Sequence, residues 1–106
     1  MDLPEGIKVA GIDVVVVDWD HGEADTFGAY GIFCKNENMI KIDTSKDHRR
    51  VTEVFIHEML HAIWAGYYLQ DSDDEERIVS TLASGLTQVF RDNPDVVEFI
   101  QDQLGD

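Results

Sequence analysis

His57-Glu58-Met59-Leu60-His61 lies inside the run Val54-Phe55-Ile56-His57-Glu58-Met59-Leu60-His61-Ala62-Ile63-Trp64, and how this run is read decides the rest of the chain. It has the form H-E-x-x-H. On an α-helix, residues four apart stand one above the other on one face. The imidazoles of His57 and His61 can therefore close on a single cation. Zinc takes nitrogen ligands at ~2.0–2.1 Å and accepts three protein ligands in a catalytic site. Glu58 is turned about 100° from His57 around the helix. It is thus offset from the metal and free to take a proton from metal-bound water. Phe55, Met59, Ile63, Ile56 and Leu60 project to one broad side, with the histidines and Trp64 on the other. A helix apolar almost all round belongs inside a domain. Polar groups buried there need partners, and a metal ion is one.

The flanking sequence places this helix. Ser45 to Asp47 offer N-caps, and the apolar pattern runs to about Tyr68, with Gly66 near the end. Upstream, Ile7-Lys8-Val9 and Ile12 to Val17 are β-branched runs around Ala10-Gly11, which predicts a hairpin. Gly28 to Cys34 and Met39 to Asp43 predict a second hairpin turning at Lys35-Asn36-Glu37-Asn38. Met39, Lys41 and Asp43 alternate with Ile40 and Ile42, which predicts one solvated face. An edge strand beside the site could hold an extended peptide through backbone hydrogen bonds. Asp18 to Asp25 reads as a polar loop. Its Asp18, Asp20 and His21 suit an acidic turn better than a second metal site.

Downstream, Ser72 and Glu75 form an S-x-x-E capping box, which starts a helix at Ser72. Ile78, Val79, Leu82, Ala83, Leu86, Val89 and Phe90 give that helix an apolar face. It stops near Asp92. Asn93-Pro94 opens a short last helix, which ends at Gly105. The fold class expected is α+β: two antiparallel hairpins packed on a metal-binding helix, with two further C-terminal helices, as one domain over residues 1–106.

Composition bounds the function. The chain has 106 residues, 43% of them hydrophobic, and suits one domain with one core. With 8 basic and 22 acidic residues its net charge is −14, and one bound Zn²⁺ leaves −12. Such a field repels phosphate backbones, so nucleic acid is not an expected partner. A basic protein substrate would be steered in, although simple solubility is the favoured reading of this charge. No apolar run approaches the ~20 residues of a membrane span, so no membrane partner is expected. The N-terminal residues lack the features of a signal peptide, which makes the cytoplasm the expected location. Cys34, the one cysteine, reads as a small apolar strand residue.

A third metal ligand must come from outside the motif. His21 and His48 are the only other histidines. Glu75 and Glu76, 14 and 15 residues after His61, are the carboxylate choices. Periodicity points Glu75 at the apolar face, but the capping box already occupies it. Glu76 flanks the Val79/Ala83 side, where small Ala83 lets the helix come close, so Glu76 is favoured. For the donor that steadies the tetrahedral oxygen, Tyr68, Tyr67, His48 and His21 are candidates, each with an ordinary packing role as the competing reading.

Together, His57-Glu58-x-x-His61 and the downstream Glu76-x-x-Val79-Ser80-x-Leu82-Ala83 resemble the small gluzincin metallopeptidases of the ImmA/IrrE type, many of them phage-borne. The resemblance covers about residues 40 to 91. Val79-Ser80 replaces the Ala-Asn pair usual there, and Leu82 replaces Phe. The resemblance implies a zinc metallopeptidase with His57, His61 and Glu76 as ligands and Glu58 as general base, acting on a protein or peptide. The competing reading is an acidic protein-interaction module with a structural or vestigial zinc site. A structural site needs no acid offset from the metal and closes its fourth position with Cys or His, which favours the enzyme.

Overall fold

In the computed structural model, which describes residues 2–105, two layers meet along the predicted metal-binding helix. Strands β1 (Gly6–Val9) and β2 (Ile12–Asp18) form the first hairpin. Ala10 and Gly11 turn it, both at positive φ (51° and 78°), as a tight two-residue connection between twisted strands requires. Strands β3 (Gly31–Cys34) and β4 (Met39–Ile42) form the second, joined by a 3-10 turn at Lys35–Glu37. The hairpins join through parallel pairing of β2 with β4, so the order is β1-β2-β4-β3. β4 is therefore interior and β3 is an edge. Alternation buries Val14, Val16, Ile40 and Ile42, and with Val9 they pack against Val51 and Ala62 of the long helix α2 (His48–Gly66). Helices α3 (Glu75–Asp92) and α4 (Pro94–Leu104) follow. Cys34 is half-buried in β3 with a free thiol. Among the described residues no helix is long and apolar enough to cross a membrane.

Several expectations are corrected. The stretch read as a loop at Asp18 to Asp25 contains a helix, α1 (His21–Phe27). Asp20 caps it by accepting from Glu23 N, and Gly28 ends it in the left-handed conformation, so β3 begins at Gly31 rather than Gly28. Asp18 accepts from Thr44. Tyr68 is not helical; α2 ends at Gly66, capped by Tyr67. Its most buried side is a stripe of Val51, Glu58 and Ala62, plus Ile56, while Phe55, Met59, Leu60 and Ile63 are only half-buried. Ser72 does not start α3. Asp74 occupies the cap position without a side-chain bond, and Ser72 Oγ accepts from Asp74 N. Asn93 does hold the cap position before Pro94, but its side chain donates back to Val89 O.

Asp43 departs most from its predicted place. Expected on a solvated face, it is 3% exposed. It lies one residue past β4, so strand alternation no longer governs it. Its carboxylate accepts from His21 Nδ1 at 2.7 Å and from Ser45 N at 2.9 Å, which ties α1 to the approach into α2. Burial pushes its pKa up, but the bonds from His21 and Ser45 outweigh that and hold it down at about 2. A depressed carboxylate adds stability above its unfolded pKa near 3.8, lost as pH falls toward 2. That contribution is about 2 kcal/mol. Asp43→Asn is therefore expected to flatten the fall in urea midpoint between pH 4 and pH 2. A variant as acid-labile as the parent would remove Asp43 from this role.

Candidate metal centre

The motif positions its ligand atoms through helix geometry alone. His57 Nε2 and His61 Nε2 stand 3.2 Å apart, with ring planes at 62°. The Glu76 carboxylate, from the first turn of α3, spans both: Oε1 is 2.9 Å from His57 Nε2 and Oε2 is 2.9 Å from His61 Nε2. Among the described residues, His57, His61 and Glu76 form the one group that brings three ligand atoms this close. Ligands held tetrahedrally at ~2 Å from one ion lie about 3.3 Å from one another, so the observed separations are near those of a metal's coordination edges. Donor counting agrees. His61 turns Nδ1 to Glu75 at 2.7 Å and Nε2 to Glu76 at 2.9 Å, yet a neutral imidazole has one N–H. With a cation between the Nε2 atoms, Nδ1–H serves Glu75 and the Nε2 lone pair serves the ion.

The two glutamates therefore divide the work. Consecutive residues on a helix point about 100° apart. Glu76 faces the converging Nε2 atoms, and Glu75 faces the far nitrogen of His61. A carboxylate on the far nitrogen fixes the tautomer and ring orientation of a ligating histidine. The S-x-x-E pattern predicts a capping role for Glu75, but its carboxylate is engaged by His61 instead. Ser80, one turn beyond Glu76, donates to Glu76 Oε1 at 3.3 Å. α3 reaches this place because Val79, Ala83 and Thr87, one per turn, are buried on its α2 side. Between the helices, Trp64 Nε1 donates to Gln70 O and fastens the connecting turn. Burial lowers the pKa of His57, which Glu76 opposes only in part, and so favours the neutral ring that a ligand must be.

Glu58 is outside the ligand group and 6% exposed. Burial raises its pKa to about 7; Glu76 adds to the rise, while His61 and the Phe33 backbone N–H oppose it. It packs beneath the edge strand because Gly31 has no side chain. A Cβ at Gly31 would stand 2.5 Å from Val54 Cγ1 and 3.2 Å from Glu58 Oε2. Val54 is β-branched and stiff in a helix, so it cannot swing aside. Gly31→Ala is expected to cost about 1–3 kcal/mol in chemical denaturation, and Val54→Ala to restore most of that loss. A Gly31→Ala protein as stable as the parent would show that β3 and α2 can separate without cost.

The centre opens into a cleft of about 460 Å³ beside Phe33, Lys35, Trp64 and Asp71, and into an adjoining lobe of about 320 Å³ beside Tyr30, Arg50 and Ser80. Gly31, His57, Glu58 and Glu76 border both. The candidates for steadying a tetrahedral oxygen lie elsewhere. Tyr67 and Tyr68 are 65% and 88% exposed past the end of α2, His48 is exposed at its start, and His21 is bound to Asp43. Tyr30 and Arg50 border the site unforeseen, since only the sheet brings a residue before β3 beside the start of α2. Comparison of the chain with models of protein families, with characterised proteins and with solved structures gave no match.

Proposed function

We propose that this chain is a zinc-dependent peptidase that hydrolyses peptide bonds in a protein or peptide, as the gluzincin resemblance implies. One observation carries the reading. Three ligand atoms from His57, His61 and Glu76 converge at coordination distances, and a fourth ionisable side chain, Glu58, is buried beside them without joining them. A purely structural centre has no use for that carboxyl.

Two imidazole nitrogens and a carboxylate oxygen suit zinc, and they leave a coordination position for the reaction. A bound zinc ion supplies Lewis acidity, polarising a carbonyl and acidifying water. The chain's own groups do the rest. Glu58 accepts the proton of the attacking water and delivers it to the leaving amine. Glu58 is largely buried yet borders the cleft, so its carboxyl can reach the water and hold the proton between the two transfers. Glu75 keeps the His61 ring in register. The outer backbone edge of β3, which pairs only with β4, borders the cleft and suits an extended substrate added as a further strand. The acidic field draws basic proteins toward this surface. A cytoplasmic location fits a chain of this composition.

The direct test loads the purified chain with one equivalent of zinc and follows cleavage of an unfolded protein by mass spectrometry. Zinc-dependent scission, lost on chelation and restored by zinc, supports the proposal. A stoichiometrically loaded chain that cuts nothing across a broad set of unfolded proteins would favour the interaction module.

A further inference from the structure

We propose that the second lobe of the cleft is a carboxylate-binding subsite built on Arg50; this rests on the peptidase reading for its role, though not for its test. Cations are scarce in this chain, 8 against 22 acids. Lys8 pairs with Asp13, Arg77 with Asp74 and Arg91 with Asp92. Lys35, Lys41, Lys46, Arg49 and Arg50 have no carboxylate within 4 Å among the described residues, and of these Arg50 is the one that borders this lobe, with His57, Glu58 and Glu76. The guanidinium carbon instead stands 5.5 Å from the centre of the Tyr30 ring, and Lys46 Nζ stands 4.9 Å from the same centre. Arg50 and Tyr30 are both exposed on the lobe, and a guanidinium beside an aromatic ring keeps its N–H fork free for a two-pronged bond to a carboxylate.

Charge in the lobe agrees. Its acids are Glu53, Glu58 and Glu76. Glu76 is committed to the metal centre and Glu58 to proton transfer beside it, which leaves Glu53 against Arg50 and nearby Lys46. The other end of the cleft holds Asp71 and Glu75 against Lys35. The cleft is thus polarised: acidic where α3 begins and basic where α2 begins. Arg50 precedes His57 by seven residues, about 10 Å along the helix axis. An extended peptide covers that span in about three residues. The bound carboxylate is therefore either an acidic side chain some three residues from the scissile bond or the peptide's own C-terminus. The long-range field and this contact act at different distances, so a basic protein with an acidic residue near the cut satisfies both.

Binding tests this without hydrolysis. Zinc-loaded Glu58→Gln protein is titrated calorimetrically with short peptides bearing Asp or Asn at each position, each with a free or an amidated C-terminus. We expect one position, or the C-terminus, where the carboxylate binds about tenfold or more tighter than its amide. Which of the two carries the effect identifies the source of the carboxylate. Arg50→Gln should bring that ratio to about one, and Arg50→Glu should invert it, so that the amide binds tighter than the carboxylate. Lys8→Gln, an equal charge change at β1, should leave it intact. No carboxylate preference at any position, no binding at millimolar peptide, or a ratio that survives Arg50→Gln overturns the subsite. In active protein, zinc-dependent cutting without such a preference would sink the subsite and leave the peptidase standing.

Discussion

A Glu58→Gln protein is expected to retain its zinc and lose peptide hydrolysis by about 10²–10⁴-fold, the range that a positioned general base contributes. Gln preserves the size of the side chain under Gly31, so the pocket need not rearrange. What Gln cannot do is carry a proton from water to the amine. Elemental analysis should find the same metal content as in the parent, and peptide cleavage should separate the two. Full activity in the variant would end the role of Glu58. Simultaneous loss of metal would mean that Glu58 is a ligand.

The same substitution has an opposite effect on stability when chelator is present. Burial raises the Glu58 pKa from 4.5 to about 7. A carboxyl raised in the folded state is an acid that the fold prefers protonated. The parent therefore loses stability as pH rises from 4.5 to 7, by at most about 3 kcal/mol. Gln has no charge to bury. Metal-free Glu58→Gln should unfold at higher urea than the parent at pH 8 and at nearly the same urea at pH 4. The charged, destabilised carboxylate is the form that a cation nearby stabilises, so activity and stability trade against each other at this residue.

Why His57, Glu58 and His61 were legible, and their neighbours less so, follows from how far apart the determining residues lie. The i, i+1, i+4 spacing is local, and helix geometry alone turns it into two converging rings and an offset acid. The choice between Glu75 and Glu76 depends on the rotation of α3 about its own axis, set by Val79, Ala83 and Thr87 against α2. Periodicity read along α3 alone sees an apolar face but not the ring that meets it, so it could not show both glutamates bracketing His61. The first hairpin was legible from β-branched runs and the second from its turn and alternation, whereas the parallel joining of β2 to β4 was not, since nothing local encodes it. α1 went unseen because its seven residues bury only Ala24, too little for an apolar period; Asp20 and Gly28, its caps, were the available signal. Arg50 and Tyr30 lie twenty positions apart and meet only through the fold.

The second large effect distinguishes the adjacent glutamates. Glu75→Ala removes the partner of His61 Nδ1 and leaves all three ligand atoms in place. The ring then loses its fixed tautomer, and zinc affinity should fall about 10–100-fold, as is usual when a ligating histidine loses its carboxylate partner. Glu76→Ala removes a ligand and its negative charge together, and the two imidazoles are left to hold the ion with water. That loss should exceed the Glu75→Ala effect by at least about tenfold, or 1.4 kcal/mol. Competition against a chromogenic chelator measures both. Glu76→Gln adds a control, since it keeps an oxygen donor without charge and should fall between the parent and Glu76→Ala. Equal losses at positions 75 and 76 would mean that the two carboxylates exchange roles when metal binds. A larger loss at Glu75 would assign it as the ligand and leave Glu76 to orient the rings.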